Sequence, residues 1–388
     1  MRFLHTSDWH LGRSFHREDL LGAQAAFVDH LVDTVRSERV DAVLVSGDVY
    51  DRALPPVDAV ELANDTLHRL VSTGVRVVIS SGNHDSAQRL GFAADLIDTA
   101  GVHLRTDPSR IGTPVVFEDA RGNAGGVAVY ALPYLEPDLV RTSLDVSERS
   151  HQAVLSAAMH RVRANAADHP GRRCVVMAHA FVTGATASQS ERDIAVGGVS
   201  SVGRDTFAGV DYAALGHLHG RHTLSETVRY SGSPLAYSFS EASHRKGSWL
   251  VEMGAHGLES VTFVDAPVPR PLALIRGRFD ELLVDRRYDT AEHAWVQVTL
   301  TDALRPRDAM EQLRSRFPHC VAILFEPDGQ QASMPPDGFD PRHLADRRDE
   351  EIVADFVRDV RGREPSTDEA ALIRAACEGC RLAEDLAS

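Results

Sequence analysis

The sequence predicts an α/β protein. It reads as a two-sheet body over residues 1–265, a small α/β domain over 270–330 and a helical tail over 340–388. Three observations carry this. Apolar, β-branched runs alternate with amphipathic stretches through the first third, the pattern of strands backed by helices. Later runs lie closer together with fewer helical stretches between them, which predicts a second sheet. Prolines at alternate positions in Asp265-Ala266-Pro267-Val268-Pro269-Arg270-Pro271 remove backbone donors and favour extended chain, so a linker is expected there.

The elements follow in order. Met1–Thr6 reads as a strand, and Ala23–Arg36, with Phe27, Leu31, Val32 and Val35 at helical spacing, as a helix. Val40–Val45 and Val75–Ser80 read as strands on either side of a helix at Val57–Leu70. Val127–Leu132, Arg173–Ala178, Tyr212–Leu215, Val228–Ser231, Ser248–Glu252 and Ser260–Val264 are further strand candidates. Beyond the linker come strand Ala294–Leu300, helix Pro306–Phe317 and strand Cys320–Phe325. In the tail, Ile352, Phe356, Val357 and Val360 form one apolar stripe, and Ala371, Leu372, Ala375 and Ala376 another.

Composition excludes several classes. Hydrophobic residues make up 43% and charged residues 25% of the 388, as in ordinary globular chains. No apolar run approaches the ~18 residues of a membrane helix, the N-terminus turns polar at once, and four cysteines are too few for a disulfide scaffold. These features predict a cytoplasmic protein. The net charge of −15 argues against nucleic-acid binding by a global basic field, so any such binding must rest on local cations or a partner. Lys246, the only lysine, sits in Arg245-Lys246-Gly247-Ser248, which excludes a Walker-type phosphate loop.

Five times an apolar strand runs directly into metal-type ligands. Phe3-Leu4-His5-Thr6-Ser7 leads to Asp8 and His10. Val43-Leu44-Val45-Ser46-Gly47 leads to Asp48, and Val77-Val78-Ile79-Ser80-Ser81-Gly82 to Asn83, His84 and Asp85. Val175-Val176-Met177-Ala178 ends at His179, and Ala213-Ala214-Leu215-Gly216 at His217 and His219. Carboxyl ends of strands in α/β sheets converge on the ligand crevice, so these groups are expected in one place. Glycine before Asp48, Asn83 and His217 permits sharp turns and close backbone approach. Carboxylate, amide and imidazole donors without cysteine suit Mn²⁺, Fe²⁺ or Zn²⁺. The ligands outnumber what one ion needs, which makes Asp48 the natural bridge between two cations about 4 Å apart. Any one piece alone has a plainer reading: a lone Asp-x-His is often surface, and Asp85 or Ser86 could simply cap a helix.

The ordered set D-x-H, G-D-x-x-D, G-N-H-D, H and G-H-x-H resembles the calcineurin-like metallophosphoesterases. Asp8-Trp9-His10-Leu11-Gly12-Arg13, Gly197-Gly198-Val199, Asp211–His219 and Tyr230-Ser231-Gly232-Ser233-Pro234-Leu235 resemble the bacterial SbcD branch of DNA-repair exonucleases. That resemblance implies an α/β/β/α metallophosphoesterase sandwich with a small capping domain. It implies one ion held by Asp8, His10, Asp48 and His219, and a second held by Asp48, Asn83, His179 and His217. His84 would act beside the scissile phosphate, with Asp85 orienting it. The implied cofactors are two divalent ions, Mn²⁺ foremost. The implied activity is 3′→5′ exonuclease on double-stranded DNA and endonuclease on hairpins and ends, in repair, recombination and replication. An SbcC-like coiled-coil ATPase, DNA and a second copy of the chain, met through helices between Val57 and Ala100, are the implied partners. The tail would dock on the ATPase. Asp51 replaces the histidine common in eukaryotic and archaeal relatives, and its role stays open.

Two rival readings remain at this level. One is a phosphoesterase for a small substrate, a cyclic nucleotide or nucleotide. The other is a non-catalytic subunit regulating an ATPase. His5, His16, His30, His68 and His103 read as packing or surface residues, and Cys377-x-x-Cys380 lacks the second pair a zinc knuckle needs. Arg13, Arg221 and Arg245 are candidate phosphate contacts whose plainer reading is solvated arginine.

Overall fold

A computed structural model of the protein describes residues 1–118, 125–194, 201–328, 348–361 and 363–385. Contacts divide the chain into Met1–Glu326 and Pro327–Ser388.

The first unit is built on two six-stranded sheets. In one, Arg2–Thr6, Ala42–Ser46, Arg76–Ser80 and Val102–Arg105 run parallel, and Gly247–Gly254 and Gly257–Asp265 continue it antiparallel beyond Arg2–Thr6. In the other, Val127–Ala131, Arg173–His179, Tyr212–Gly216 and Val228–Tyr230 are parallel, with antiparallel edges at Val115–Phe117 and His222–Thr223.

Strand alternation decides what faces what. Phe3, Leu44 and Val78 point inward and meet Val129, Val175, Met177 and Tyr212 of the second sheet in one buried cluster. Their neighbours Leu4, Val43, Val45, Val77 and Ile79 point outward and are covered by Phe27, Leu31, Val35, Ala59 and Ala63 of helices Leu21–Glu38 and Val57–Val71. On the far side Val154, Leu155, Ala158 and Val162 of helix His151–Ala167 cover Tyr130, Val176, Ala178, Ala213 and Leu215. The layers are helix, sheet, sheet, helix, as the family resemblance implies.

One placement differs from the sequence reading. Ser248–Glu252 and Ser260–Val264 are expected in the second sheet, yet the hairpin that contains them pairs with Arg2–Thr6 in the first, Phe3 opposite Val251 and His5 opposite Trp249. The hairpin covers the edge that the N-terminal strand would otherwise leave open. Helix His151–Ala167 gives little sequence signal because six alanines blur its apolar stripe, although Ser150 caps it through the Ala153 N–H.

After the linker, Leu272–Gly277, Trp295–Leu300 and Cys320–Phe325 form a parallel three-stranded sheet around Val296, Val298, Leu300, Leu313 and Phe317. It rests on the body through Leu272, Trp295 and Val321, packed against Phe15, Leu20, Leu235, Tyr237 and Phe239.

The second unit contains helices Asp349–Arg361 and Thr367–Asp385. Phe356, Ala371, Leu372, Ala375 and Ala376 of the expected stripes are exposed. The side chains of Val360 and Cys380, and the stretch Gly197-Gly198-Val199, lie outside the described residues. No helix among the described residues is long and apolar enough to cross a membrane.

Candidate metal centre

Five parallel strands, three from the first sheet and two from the second, end at the same seam. The chain bends sharply there. Asp8, His10, Asp48 and His217 all have positive φ (53°, 46°, 51° and 101°), a region costly for residues with a Cβ and concentrated at functional sites. Gly47 (φ 83°) lies so close to His179 that an added methyl would collide with its ring, Gly216 is pressed as tightly on the Ser46 carbonyl, and Gly82 on Asp48. The three glycines are where two strand ends touch.

The bends bring together all seven expected ligands. Asp48 Oδ2 lies 3.6 Å from His10 Nε2 and 3.4 Å from His179 Nε2, between two groups of donors. On one side His10 Nε2 and His219 Nε2 are 3.0 Å apart, with the Asp8 carboxylate close to both. On the other, Asn83 Oδ1 lies 2.8 Å from His179 Nε2 and 3.1 Å from His217 Nδ1. Asp8 also falls within reach of the Asp48–His179 group, so both aspartates sit near the middle.

The outer atoms of these ligands are tied down. His179 Nδ1–H donates to the Ser46 carbonyl, which turns Nε2 toward Asp48 and Asn83. The Asp8 carboxylate accepts from the His217 N–H and the Ser7 hydroxyl. Such contacts select the imidazole tautomer and fix ring direction.

Burial and charge set the protonation. Burial pushes the Asp8 carboxyl up to about 6. Burial also opposes ionisation of Asp48, but the charge and hydrogen bond of His179, with His10 and His84, hold its carboxyl well below the usual range. Burial depresses His10, and takes His217 down to about 3. It works against His179 too, but there the Asp48 carboxylate raises the imidazole to about 9. Two neutral imidazoles are ready-made lone-pair donors. Asp8 and Asp48 have no lysine or arginine partner among the described residues, while His10 Nδ1 and Asn83 Nδ2 are buried without hydrogen-bond partners. Compact oxygen and nitrogen donors around two buried carboxylates fit a pair of borderline-hard divalent cations.

His84 stands beside this set. Its backbone N–H donates to Asp48 Oδ1 at 2.9 Å, and its ring meets the His10 ring edge-on at 4.7 Å. The sequence reading has Asp85 orient His84, and here the structure differs. Asp85 accepts the backbone N–H groups of Val49, Tyr50 and Gly82, clamping the second strand end to the third. Burial and the neighbouring Asp48 push its carboxyl up to about 7. The Asp51 carbonyl holds His84 instead, accepting from Nδ1–H at 2.7 Å. The Asp51 carboxylate faces Arg13 Nε at 3.6 Å and His10 Nδ1 at 3.8 Å.

Support for His219 has no sequence signal. Its Nδ1 meets Ser190 Oγ at 2.6 Å, its N–H donates to Glu191, and its carbonyl accepts from Lys246 Nζ. Glu241 completes the group, bonded to Ser190 and to Lys246 in a buried ion pair. These residues come from irregular loops with no fixed spacing. His5 is structural, as expected: it bridges the sheets between the Tyr212 hydroxyl and the Leu215 carbonyl. Arg221 lies over the Phe263 ring and Arg245 pairs with Asp265.

Comparison with known families agrees with this geometry. Residues 1–221, more than half of the chain, match the model of the calcineurin-like phosphoesterases. The chain belongs to that family. As a member of the calcineurin-like phosphoesterases it is a metal-dependent phosphoester hydrolase, and of the SbcD-like kind. Residues 268–361 match a model described as the type 5 capsule protein repressor C-terminal domain. The SbcD subunit of the nuclease SbcCD from Staphylococcus saprophyticus is 27% identical over 376 residues, 95% of this chain and 96% of that protein. Among solved structures, TT1561 of Thermus thermophilus (14% identical, 68% of this chain and 98% of that one) gives a TM-score of 0.37. A dimetal phosphatase from Danio rerio (15% identical, 69% and 99%) gives 0.35.

Proposed function

We propose that the protein is the nuclease subunit of an SbcC–SbcD-like complex and hydrolyses DNA phosphodiesters with two divalent cations, Mn²⁺ foremost. The observation that carries this is the convergence of seven donors from five strand ends, with the His84 ring beside them. Asp8, His10, Asp48 and His219 would hold one cation, and Asp48, Asn83, His179 and His217 the other. When bound, the two cations supply the positive charge that draws in a phosphodiester and polarises it.

The chain's own groups do the rest. The Asp51 carbonyl keeps the proton of neutral His84 on Nδ1, so Nε2 is the atom that gains and gives up a proton. Protonated there, His84 donates to the departing 3′ oxygen. Asp85 acts at one remove, holding the Asp48 and Asn83 loops in register. The acidic net charge leaves the grip on DNA to local cations and to the partner. In this reading, activity is 3′→5′ on double strands, with cleavage at hairpins and ends, in repair and recombination.

Three surfaces support the partners. Val57, Val60, Phe92 and Leu96 are exposed along the segment expected to meet a second copy, Phe92 to 80%. Phe356 and Leu372 are exposed on the tail helices proposed to dock on the coiled-coil ATPase. The three-stranded domain is proposed as a cap that contacts DNA. The staphylococcal relative, named as one part of a two-component nuclease, supports a partner for this chain.

The deciding experiment compares the protein with its His84→Gln variant on labelled linear duplex and hairpin DNA in Mn²⁺, with metal content measured in parallel. The expected result is loss of cleavage with about two ions retained. Turnover of small phosphodiesters only, or cleavage that survives the substitution, overturns the proposal.

A further inference from the structure

Beside the metal centre lies a groove of about 690 Å³, within the size range of small-ligand sites. Asn83 is among its lining residues, so the groove reaches the position where a phosphodiester would be held. Tyr134 lines it too, with its ring edge-on to His179 at 6.2 Å, its hydroxyl donating to Glu136 and its N–H to the Ser81 carbonyl. Leu139 at the rim is 80% exposed.

The charge of this groove is the informative feature. Its lining includes the acidic residues Asp107 and Glu136, with Asp85 held by backbone N–H groups, and no lysine or arginine. A second phosphate would be repelled here, so the groove is not a track for the DNA backbone. It offers an aromatic ring, aliphatic side chains and the Gln88 amide to a flat, uncharged group carrying hydrogen-bonding edges. We infer that this groove holds the nucleobase of the nucleotide whose phosphate sits at the metal centre, which makes Tyr134 a specificity-determining contact. The inference rests on the metal-centre reading above and adds the subsite.

The test compares two probes on the full chain loaded with Mn²⁺: inorganic phosphate and a 2′-deoxynucleoside 5′-monophosphate, by titration calorimetry. The ratio of their affinities is read, so a general loss of metal or fold cancels. Stacking of a base on an aromatic side chain predicts that the nucleotide binds roughly 5- to 150-fold tighter. Tyr134→Ala should bring the ratio close to one. Leu139→Glu, at the exposed rim and away from His179, should lower it by adding charge to the groove. A ratio near one in the unaltered protein, or a ratio unchanged in both variants, overturns the subsite while leaving the metal centre standing. If neither probe binds in Mn²⁺, the metal-centre reading falls and the subsite falls with it.

Discussion

Replacing Lys246 with methionine would remove one end of an ion pair whose side chains are 4% and 0% exposed. Burial alone would raise the Glu241 carboxyl, but hydrogen bonding with His219 and the charge of Lys246 hold it well below the ordinary range. Lys246→Met strands that carboxylate and takes a donor from the His219 carbonyl and the Ser233 hydroxyl. Removing one member of a buried pair typically costs about 3–5 kcal/mol, because the remaining charge has no solvent to turn to. Adding Glu241→Gln should recover part of this, so the double variant is expected to lose less than the two single losses added together. The group also holds His219, so affinity for Mn²⁺ should fall by roughly 10- to 100-fold. Guanidinium unfolding of the four proteins gives the first number, and calorimetric Mn²⁺ titration the second. A single variant within about 1 kcal/mol of the parent, with unchanged Mn²⁺ affinity, would refute the view that Lys246 and Glu241 brace His219.

Three further outcomes are expected. Gly47→Ala should abolish metal binding, since the new methyl collides with the His179 ring, whereas Gly74→Ala, also at positive φ but facing open space, should cost only about 1–2 kcal/mol of backbone strain; metal content and unfolding curves separate the two. Asp85→Asn removes an acceptor from the clamp on Val49, Tyr50 and Gly82, and should lower duplex cleavage roughly 10- to 100-fold while speeding hydrogen exchange at those three amides; full activity with unchanged exchange would contradict the clamp. His5 is lowered by burial to about 3 from 6.5, so between those values the unfolded chain binds a proton that the folded chain refuses. Stability from this residue is therefore complete above pH 6.5 and declines by about 1.4 kcal/mol per unit as the pH falls toward 3, and His5→Gln should flatten the measured slope by that amount.

The candidate metal centre is legible in the sequence because the donor residues gathered there obey a local rule. Each follows an apolar strand within four residues, and strand ends in such sheets converge. The same rule gives no view of Ser190, Glu241 and Lys246, which reach His219 from loops whose only common property is three-dimensional proximity. Asp85 shows a different limit. Its place beside His84 suggests a partner for that ring, but a carboxylate with three amide donors in reach is satisfied by backbone, and the imidazole turns to the Asp51 carbonyl. The hairpin Gly247–Asp265 is legible as strands but not as part of the first sheet. Alternation specifies which side of a strand is buried, and it says nothing about which edge the strand joins.

The two-sheet architecture and the chemistry share one cause. A single parallel sheet delivers ligands along one line of strand ends, and Asp8, Asp48 and Asn83 lie on such a line. Histidines 179, 217 and 219 come from the facing sheet, whose inward residues pack directly on the first through Leu44, Val78, Val175 and Met177. That apolar interface fixes the spacing between the two rows, and the glycines at the seam let them meet closely enough for Asp48 to face both groups of donors. Core packing and site geometry are thus coupled: shrinking Met177 or Val78 would loosen the register of the two rows, and the metal centre would register it without any ligand being touched.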